Sequence, residues 1–226
     1  DTYNVAVGYD AGGNITTGTN NTLIGGLAGD ALTDGNQNVA VGYQSLSAEI
    51  RGDKNIAIGA GALQVQSNST DVDAFNVAVG HAAGAGVTTG VNNTLIGGLA
   101  GDAITTGFSN SLVGKLSGSA LTDADYNVAM GQQSLAQDTQ GSTAVAIGSF
   151  ALGTQNFTTA TNNYNVGVGY AAGGAITTGI KNTLIGALAG DALTDAGFNT
   201  VVGMDALTSD TLGSRSTAIG VGALNG

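Results

Sequence analysis

Short apolar segments that end in glycine recur along the whole chain. Thirteen such glycines are present; ten of the twelve intervals between them are 17 residues, and the other two, 59 to 80 and 148 to 169, are 21. The residue before each glycine is Val, Ile or Met, and the residue two before it is Ala, Leu, Val or Gly. A fixed short period predicts a solenoid or fibre rather than a globule with one active-site pocket. We number each coil from its glycine, position 0, and these glycines are Gly8, Gly25, Gly42, Gly59, Gly80, Gly97, Gly114, Gly131, Gly148, Gly169, Gly186, Gly203 and Gly220.

Positions −3 to −1 predict a short β-strand in every coil. Twelve of the thirteen residues at −3 are Val, Ile or Thr, and Ser111 is the exception; β-branched residues favour strands. Because side chains alternate across a strand, Val5 and Val7 share one face and Ala6 takes the other. Both faces are apolar, which is typical of strands in a parallel sheet. Val or Ile at −3 is followed by a small residue and Thr or Ser usually by a larger one, so we expect the two faces to compensate in volume.

The remaining positions of the coil predict turns and a ladder. Position +3 is always Ala or Ser and position +4 only Gly or Leu, which predicts a second short strand or extended corner packed close to the first. Eleven of the thirteen residues at −4 are Asn and predict an asparagine ladder that closes a turn. Thr recurs at +8, often followed by Gly at +10 as in Gly18, and this glycine is expected to supply a positive φ.

The repeat pattern predicts a single repeat domain over residues 1–226, built from three longer units at about 4–75, 76–164 and 165–226. The first two units end in the 21-residue coils, whose extra residues, Ser67 to Asp73 and Asn156 to Asn162, are predicted to form longer surface loops. Solenoids require caps, and the repeat runs to both ends of the sequence without one. We therefore expect a fragment of a longer fibre.

The composition indicates a narrow core and a need for a further surface to pack against. The 226 residues include 39 Gly and no Pro, Cys or Trp, and the 42 % of hydrophobic residues are mostly Ala, Val, Leu and Ile, which suits a narrow interior. A 17-residue coil with two apolar strand faces needs a further surface to bury against, and another copy of the chain is the simplest source.

Charge excludes several classes of partner. The net charge is −11, and the five cations are scattered singly among sixteen acidic residues. Nucleic acid is not an expected partner because no basic patch could neutralise phosphates. Membrane insertion is not expected because no apolar run approaches the length of a membrane span.

The sequence predicts no catalytic, cofactor-binding or metal-binding residue. His81 is the only histidine and is predicted to be exposed; without a second His or a Cys, metal clusters and Ser/His/Asp triads lack support. Acidic residues recur in register, and two readings stay open: solubilising turn residues, or calcium sites between Asp71 and Asp73 or between Asp123 and Asp125. The residues that recur in this way are Asp30, Asp102, Asp191, Asp34, Asp123 and Asp195.

Three tyrosines follow the coil glycine directly. Tyr9, Tyr43 and Tyr170 are interpreted as amphipathic cover for the outside of the molecule, with a carbohydrate-stacking surface as the alternative.

The motif Asn-Val-Ala-Val-Gly-Tyr, which begins at Asn4 and at Asn38, resembles the head repeats of YadA-type trimeric autotransporter adhesins. The segment from Gly8 to Gly29 is similar to the GYxAG…TTGxNNT repeats of phage tail fibres. The resemblance implies an all-β, left-handed parallel β-roll of about 13 coils of 17 residues, assembled side by side as a homotrimer. It also implies that Val5 and Val7 fill the core of each chain and that Ala6 faces the neighbouring chains. The coil is longer than in adhesin heads, so the TTG loop is an expansion.

The leading hypothesis for function is a structural and adhesive segment of an extracellular trimeric fibre, on a virion tail or a bacterial surface. Such a segment would attach to a host or cell-surface receptor, for which a glycan is one candidate, and would not be an enzyme. An ice-binding β-solenoid is the alternative that the Thr positions suggest. A β-helix polysaccharide-degrading enzyme is a further alternative, which five scattered cations do not favour.

Overall fold

A computed structural model describes residues 2–225, and all regular elements of this part of the chain are β-strands. The chain forms a parallel β-solenoid of about 13 turns, as the repeat predicts. Each coil contributes one three-residue strand at positions −3 to −1. These strands are β1 (Val5–Val7), β2 (Thr22–Ile24), β3 (Val39–Val41), β5 (Ile56–Ile58), β7 (Val77–Val79), β8 (Thr94–Ile96), β9 (Ser111–Val113), β10 (Val128–Met130), β12 (Val145–Ile147), β14 (Val166–Val168), β15 (Thr183–Ile185), β16 (Thr200–Val202) and β17 (Thr217–Ile219). Four two-residue strands accompany them: β4 (Gly52–Asp53), β6 (Val72–Asp73), β11 (Gly141–Ser142) and β13 (Thr161–Asn162).

The chain consists of two compact units, one up to Asn110 and one from Ser111 onward. In the first, β1, β2, β3, β5, β7 and β8 pair in parallel in that order. In the second, β9, β10, β12 and β14 to β17 do the same. Every strand pairs with its neighbour in the repeat register, so equal positions of successive coils form rows within each unit. The single domain and its three sequence units stay predictions from the repeat pattern.

The strand buries one face and exposes the other. Leu23, Ala40 and Ala57, all at −2, are fully buried, whereas Ile24 and Ile58 at −1 are 40 % and 38 % exposed. The assignment of Val5 and Val7 to the core and of Ala6 to an interface is therefore wrong: Val5 and Val7 lie on the exposed face, and the position of Ala6 is buried in every later coil. The physical reason is that the rest of a 17-residue coil folds back over the −2 side only.

Core volume is shared between positions −2 and +4. Where Leu23 stands at −2, Gly29 stands at +4, and a Cβ placed on Gly29 would lie 2.9 Å from Leu23 Cδ2. Where Leu46 stands at +4, Ala40 stands at −2, and both are fully buried. The expected compensation between −3 and −2 is not a packing relation, because these residues face opposite sides of the strand.

The segment after the coil glycine is a turn. The second strand predicted at +3 and +4 is absent, because positions +2 and +4 adopt positive φ, as Leu27 (57°) and Leu46 (52°) do. The close approach expected there is present, since Ala28 at +3 is fully buried.

The two kinds of glycine have different roles. At position 0, Gly25 has a φ of 138°, and a Cβ there would lie 2.5 Å from Gly42 O. The TTG glycine Gly18 does not have the expected positive φ; a Cβ on it would lie 2.5 Å from Gly35 O. It is a glycine because the next coil passes too close for a side chain.

The predicted asparagine ladder is present and largely buried. The backbone N–H of Asn21 donates to Asn4 Oδ1 at 2.8 Å, and Asn21 Nδ2 donates to Gly35 O at 2.8 Å. Most rungs thus join a side chain to backbone, while some, such as Asn55 Nδ2 to Asn38 Oδ1 at 3.2 Å, join two amides. The ladder satisfies backbone groups that would otherwise be buried without partners.

Buried polar residues anchor the two long coils. Glu49 occupies +7, where seven other coils place an aliphatic residue, and is fully buried. Its Oε1 accepts hydrogen bonds from the backbone N–H groups of the three following residues and of Asn68, and its Oε2 accepts from Gln66 Nε2 at 2.8 Å. Asp138 and Gln155 repeat the arrangement in the second compact unit. Of the predicted surface loops, Ser67 to Asp73 and Asn156 to Asn162, residues 69–71 and 158–160 are exposed. Asn68 and Phe157 are buried, and the last two residues of each range form β6 and β13.

Candidate interaction surface

The outward side chains of each sheet form a surface with one entirely apolar row, at position −1. Positions −3 and −1 point away from the core, and positions −5 and +1 flank them. We call these four rows the strand face. Its −1 row contains only Val, Ile and Met, and Ile96, Met130, Ile147 and Ile185 are 37–44 % exposed.

The strand face has an unusual charge pattern. None of the sixteen acidic residues lies at positions −5, −3, −1 or +1, whereas four of the five cations and eight of the eleven aromatic residues do. In a chain with a net charge of −11, acidic side chains are therefore confined to the other sides of the coil.

The −5 row has a backbone conformation of its own. All thirteen residues there have positive φ, between 49° and 67°, and each precedes a ladder position. In this row Lys54 Nζ lies 5.1 Å from the centre of the Phe75 ring. Phe198 has Lys181 Nζ at 5.1 Å and Arg215 Cζ at 5.6 Å from its ring centre. Sequence reasoning did not identify this row, although its aromatic and cationic residues and its lack of acids could have indicated it.

The +1 row agrees with its prediction. Tyr9, Tyr43 and Tyr170 are 82 %, 58 % and 56 % exposed. The Tyr170 ring meets Phe150 edge to face at 5.9 Å. His81 is exposed in this row, as expected.

The three recurring aspartates at +5 lie outside the strand face. Asp30, Asp102 and Asp191 each have a buried Oδ1 that accepts no hydrogen bond. Burial raises the pKa of all three carboxyls, and the nearby Asp10 and Asp205 add to the effect at Asp30 and Asp191 respectively.

The acidic residues considered as calcium ligands do not form a recognisable ligand set. Asp73 Oδ2 lies 2.6 Å from Lys54 Nζ, and Asp123 Oδ1 accepts a hydrogen bond from Thr122 Oγ1 at 3.3 Å. Within residues 2–225, no three His, Cys, Asp or Glu side chains are grouped in a way that could hold a metal ion. The calcium hypothesis for 71/73 and 123/125 thus gains no support from geometry.

The Thr row at +8 uses its hydroxyl groups within the fold. Thr16 Oγ1 donates to Thr33 O and Thr88 Oγ1 to Thr105 O, both at 3.1 Å. These bonds join successive coils. Hydroxyls engaged in this way do not favour an ice-binding array.

Comparison with known proteins gives no relative. No family model matches the chain, and neither the curated proteins nor the solved structures contain a significant match. Residues 2–225 include no helix of the length and apolarity that a membrane span requires.

Proposed function

We propose that this chain is a structural and adhesive segment of an extracellular trimeric fibre, of the kind that phage tails and bacterial surfaces use for attachment. The observation that supports it best is the strand face, an acid-free surface with an apolar −1 row on an acidic β-solenoid. In this proposal the copies pack side by side through the −3 and −1 rows of the strand face, the −5 row stays outside the contact, and the roll is left-handed, as the resemblance to adhesin heads implies.

The hydrophobic effect favours covering this face. Exposed or half-buried Val, Ile and Met side chains recur along the −1 row, and contiguous apolar surface of this kind marks interaction sites. A second copy is the favoured occupant because it has the same coil spacing, so equal rows can remain in register.

The distribution of charge is compatible with self-association through the strand face. Copies with a net charge of −11 repel one another at long range. Carboxylates at a contact between copies would be opposed by other carboxylates, and the strand face contains none. The trimer interface therefore uses the Val and Ile residues, and not the small residue between them that the resemblance had implied.

The test is the oligomeric state in solution, measured by sedimentation equilibrium. We expect the wild-type chain to have three times the mass of one chain. Ile24→Asp combined with Ile58→Asp places two carboxylates on the strand face, and we expect this variant to dissociate to monomers that retain the wild-type circular dichroism spectrum.

The control places the same charges elsewhere. Thr17→Asp combined with Thr89→Asp changes two exposed residues at +9, a position where Asp34 already stands, and we expect it to remain trimeric. A monomeric wild-type chain, or equal dissociation of both variants, would contradict the proposal.

A further inference from the structure

In the second compact unit, aromatic and cationic side chains alternate along the −5 row. Tyr164, Lys181, Phe198 and Arg215 occupy four successive coils, and all four are exposed. The backbone N–H groups of the last three donate to carbonyls of the preceding coil, at 2.7, 3.0 and 3.1 Å respectively. The row is thus fixed in register by the fold.

Phe198 positions the two cations. Lys181 Nζ and Arg215 Cζ lie 5.1 and 5.6 Å from its ring centre. Cation–π contacts of this kind restrain long side chains that would otherwise lose entropy on binding a ligand. The two cationic side chains are therefore partly ordered before any ligand binds.

Neither cation is neutralised. The ion pairs among residues 2–225 join Arg51 to Asp34 and Lys54 to Asp73, and in this part of the chain the Lys181 and Arg215 head groups make no hydrogen bond. Lysine and arginine offer three and five N–H donors. Two unpaired cations beside exposed aromatic rings point to an anionic ligand.

The spacing identifies the class of anion. Lys181 and Arg215 are two coils apart, about 9.6 Å at the usual separation of neighbouring strands. That distance is close to one disaccharide of an extended β-linked polysaccharide, and Tyr164 and Phe198 are also two coils apart. A carboxylate on every second sugar would meet each cation in turn, and the Tyr164 ring, 53 % exposed, is free to pack against the C–H face of a sugar.

We propose that the −5 row from Tyr164 to Arg215 binds a linear polysaccharide with one carboxylate per disaccharide. The inference rests on the proposed attachment function and gives it a ligand class. Nucleic acid is disfavoured, because two cations neutralise too few of its closely spaced phosphates.

The experiment is calorimetric titration of the full chain at low salt with hyaluronan oligosaccharides, in which a uronic acid alternates with a neutral amino sugar. We expect binding, and at least about tenfold weaker binding of carboxyl-reduced hyaluronan, because charge-assisted contacts are lost. Lys181→Ala and Arg215→Ala should each raise Kd by about tenfold for the same reason.

Lys54→Ala is the matched control. Lys54 occupies the same row and lies at the same distance over Phe75, but its ammonium group is paired with Asp73. We expect Kd to remain within about twofold of wild type, as for an exposed charge outside the site.

Several results would overturn the inference. They are no binding of hyaluronan, equal binding of its neutral form, an equal effect of Lys54→Ala, and equal affinity for single-stranded DNA. Loss of assembly in Lys181→Ala would also overturn it, by assigning the row to the subunit interface. Sedimentation of the same samples separates the two proposals: a trimer that does not bind hyaluronan refutes the polysaccharide site alone, whereas a monomeric wild-type chain refutes the fibre.

Discussion

At the scale of the residue, backbone conformation decides identity more than side-chain chemistry does. The coil glycine combines a positive φ with a neighbouring backbone that leaves no room for Cβ. Non-glycine residues such as Leu46 accept the left-handed φ of 52° elsewhere in the coil, but the φ of 138° at Gly25 is one that side chains rarely adopt. Backbone conformation and the close backbone contact therefore both require glycine at position 0.

Adjacent glycines allow this to be tested. In Gly25→Ala the new Cβ would lie 2.5 Å from Gly42 O, whereas in Gly26→Ala its nearest neighbour is the flexible Tyr43 ring at 3.5 Å. We expect Gly25→Ala to lower the free energy of unfolding by about 2–4 kcal/mol and Gly26→Ala by less than about 0.5 kcal/mol. Urea unfolding measures both, and equal effects would contradict the steric explanation.

The half-buried aspartates at +5 predict a pH dependence of stability. Desolvation raises the pKa of Asp102 above its ordinary 3.8, so the native state binds this proton more tightly than the unfolded chain does. The ionised carboxylate therefore destabilises the fold above its native pKa, and the penalty disappears as the pH falls through that pKa. We expect Asp102→Asn to be more stable than wild type at pH 7 and the difference to shrink towards pH 3.8, measured by urea unfolding at several pH values.

Asp195 provides the opposite case. Hydrogen bonds from Thr177 and Thr178 lower the pKa of its carboxyl, so the ionised form stabilises the fold above pH 3.8 and the contribution is lost as the pH falls through the depressed native pKa. Asp195→Asn should therefore be less stable than wild type at pH 7. A change of the same sign in both variants would be inconsistent with this assignment.

At the scale of the element, the core of a coil can be filled by a leucine from either of two positions. In nine of the thirteen coils a leucine enters from the strand at −2 or from the turn at +4, and the other position is Ala or Gly. The coils of Gly8, Gly80 and Gly169 have small residues at both positions, and the coil of Gly203 has Val201 with Leu207. The arrangement with Ala at −2 and Leu at +4 is found in the two 21-residue coils and in the coil before each of them. In these coils position +7 is polar, as in Glu49 and Gln66.

A double-mutant cycle tests this exchange. Leu23→Ala should cost about 2–5 kcal/mol by opening a cavity, and Gly29→Leu about 1–3 kcal/mol by overpacking. The double variant reproduces the arrangement of Ala40 and Leu46, so we expect a favourable coupling of about 1–3 kcal/mol. Recovery should be incomplete because Leu32 Cδ1 lies 2.9 Å from a Cβ at position 29, and additive costs would refute the exchange.

At the scale of the whole molecule, negative charge is separated from the strand face. The acids that give the net charge of −11 lie away from the strand face, so association joins apolar surfaces while the chains repel at long range.

Salt should then act on assembly and on ligand binding in opposite directions. Raising the ionic strength from about 0.01 M to about 0.15 M shortens the Debye length from about 30 Å to about 8 Å. We expect the assembly to tighten, because repulsion between chains is screened, and polysaccharide binding to weaken. Sedimentation and calorimetry at both salt concentrations measure these shifts, and assembly that weakens with salt would indicate an interface held by ion pairs.

The sequence by itself determined the solenoid, its period, the strand positions, the asparagine ladder and the exposed loops. Each of these follows from local chemistry repeated at a fixed spacing, and thirteen copies make the pattern unambiguous. The tertiary structure alone decided which strand face is buried, because Val5-Ala6-Val7 is apolar on both sides and alternation does not distinguish inside from outside. It also decided the pairing of −2 with +4 and the grouping of Lys181, Phe198 and Arg215, since these residues meet only when the coil closes and successive coils stack.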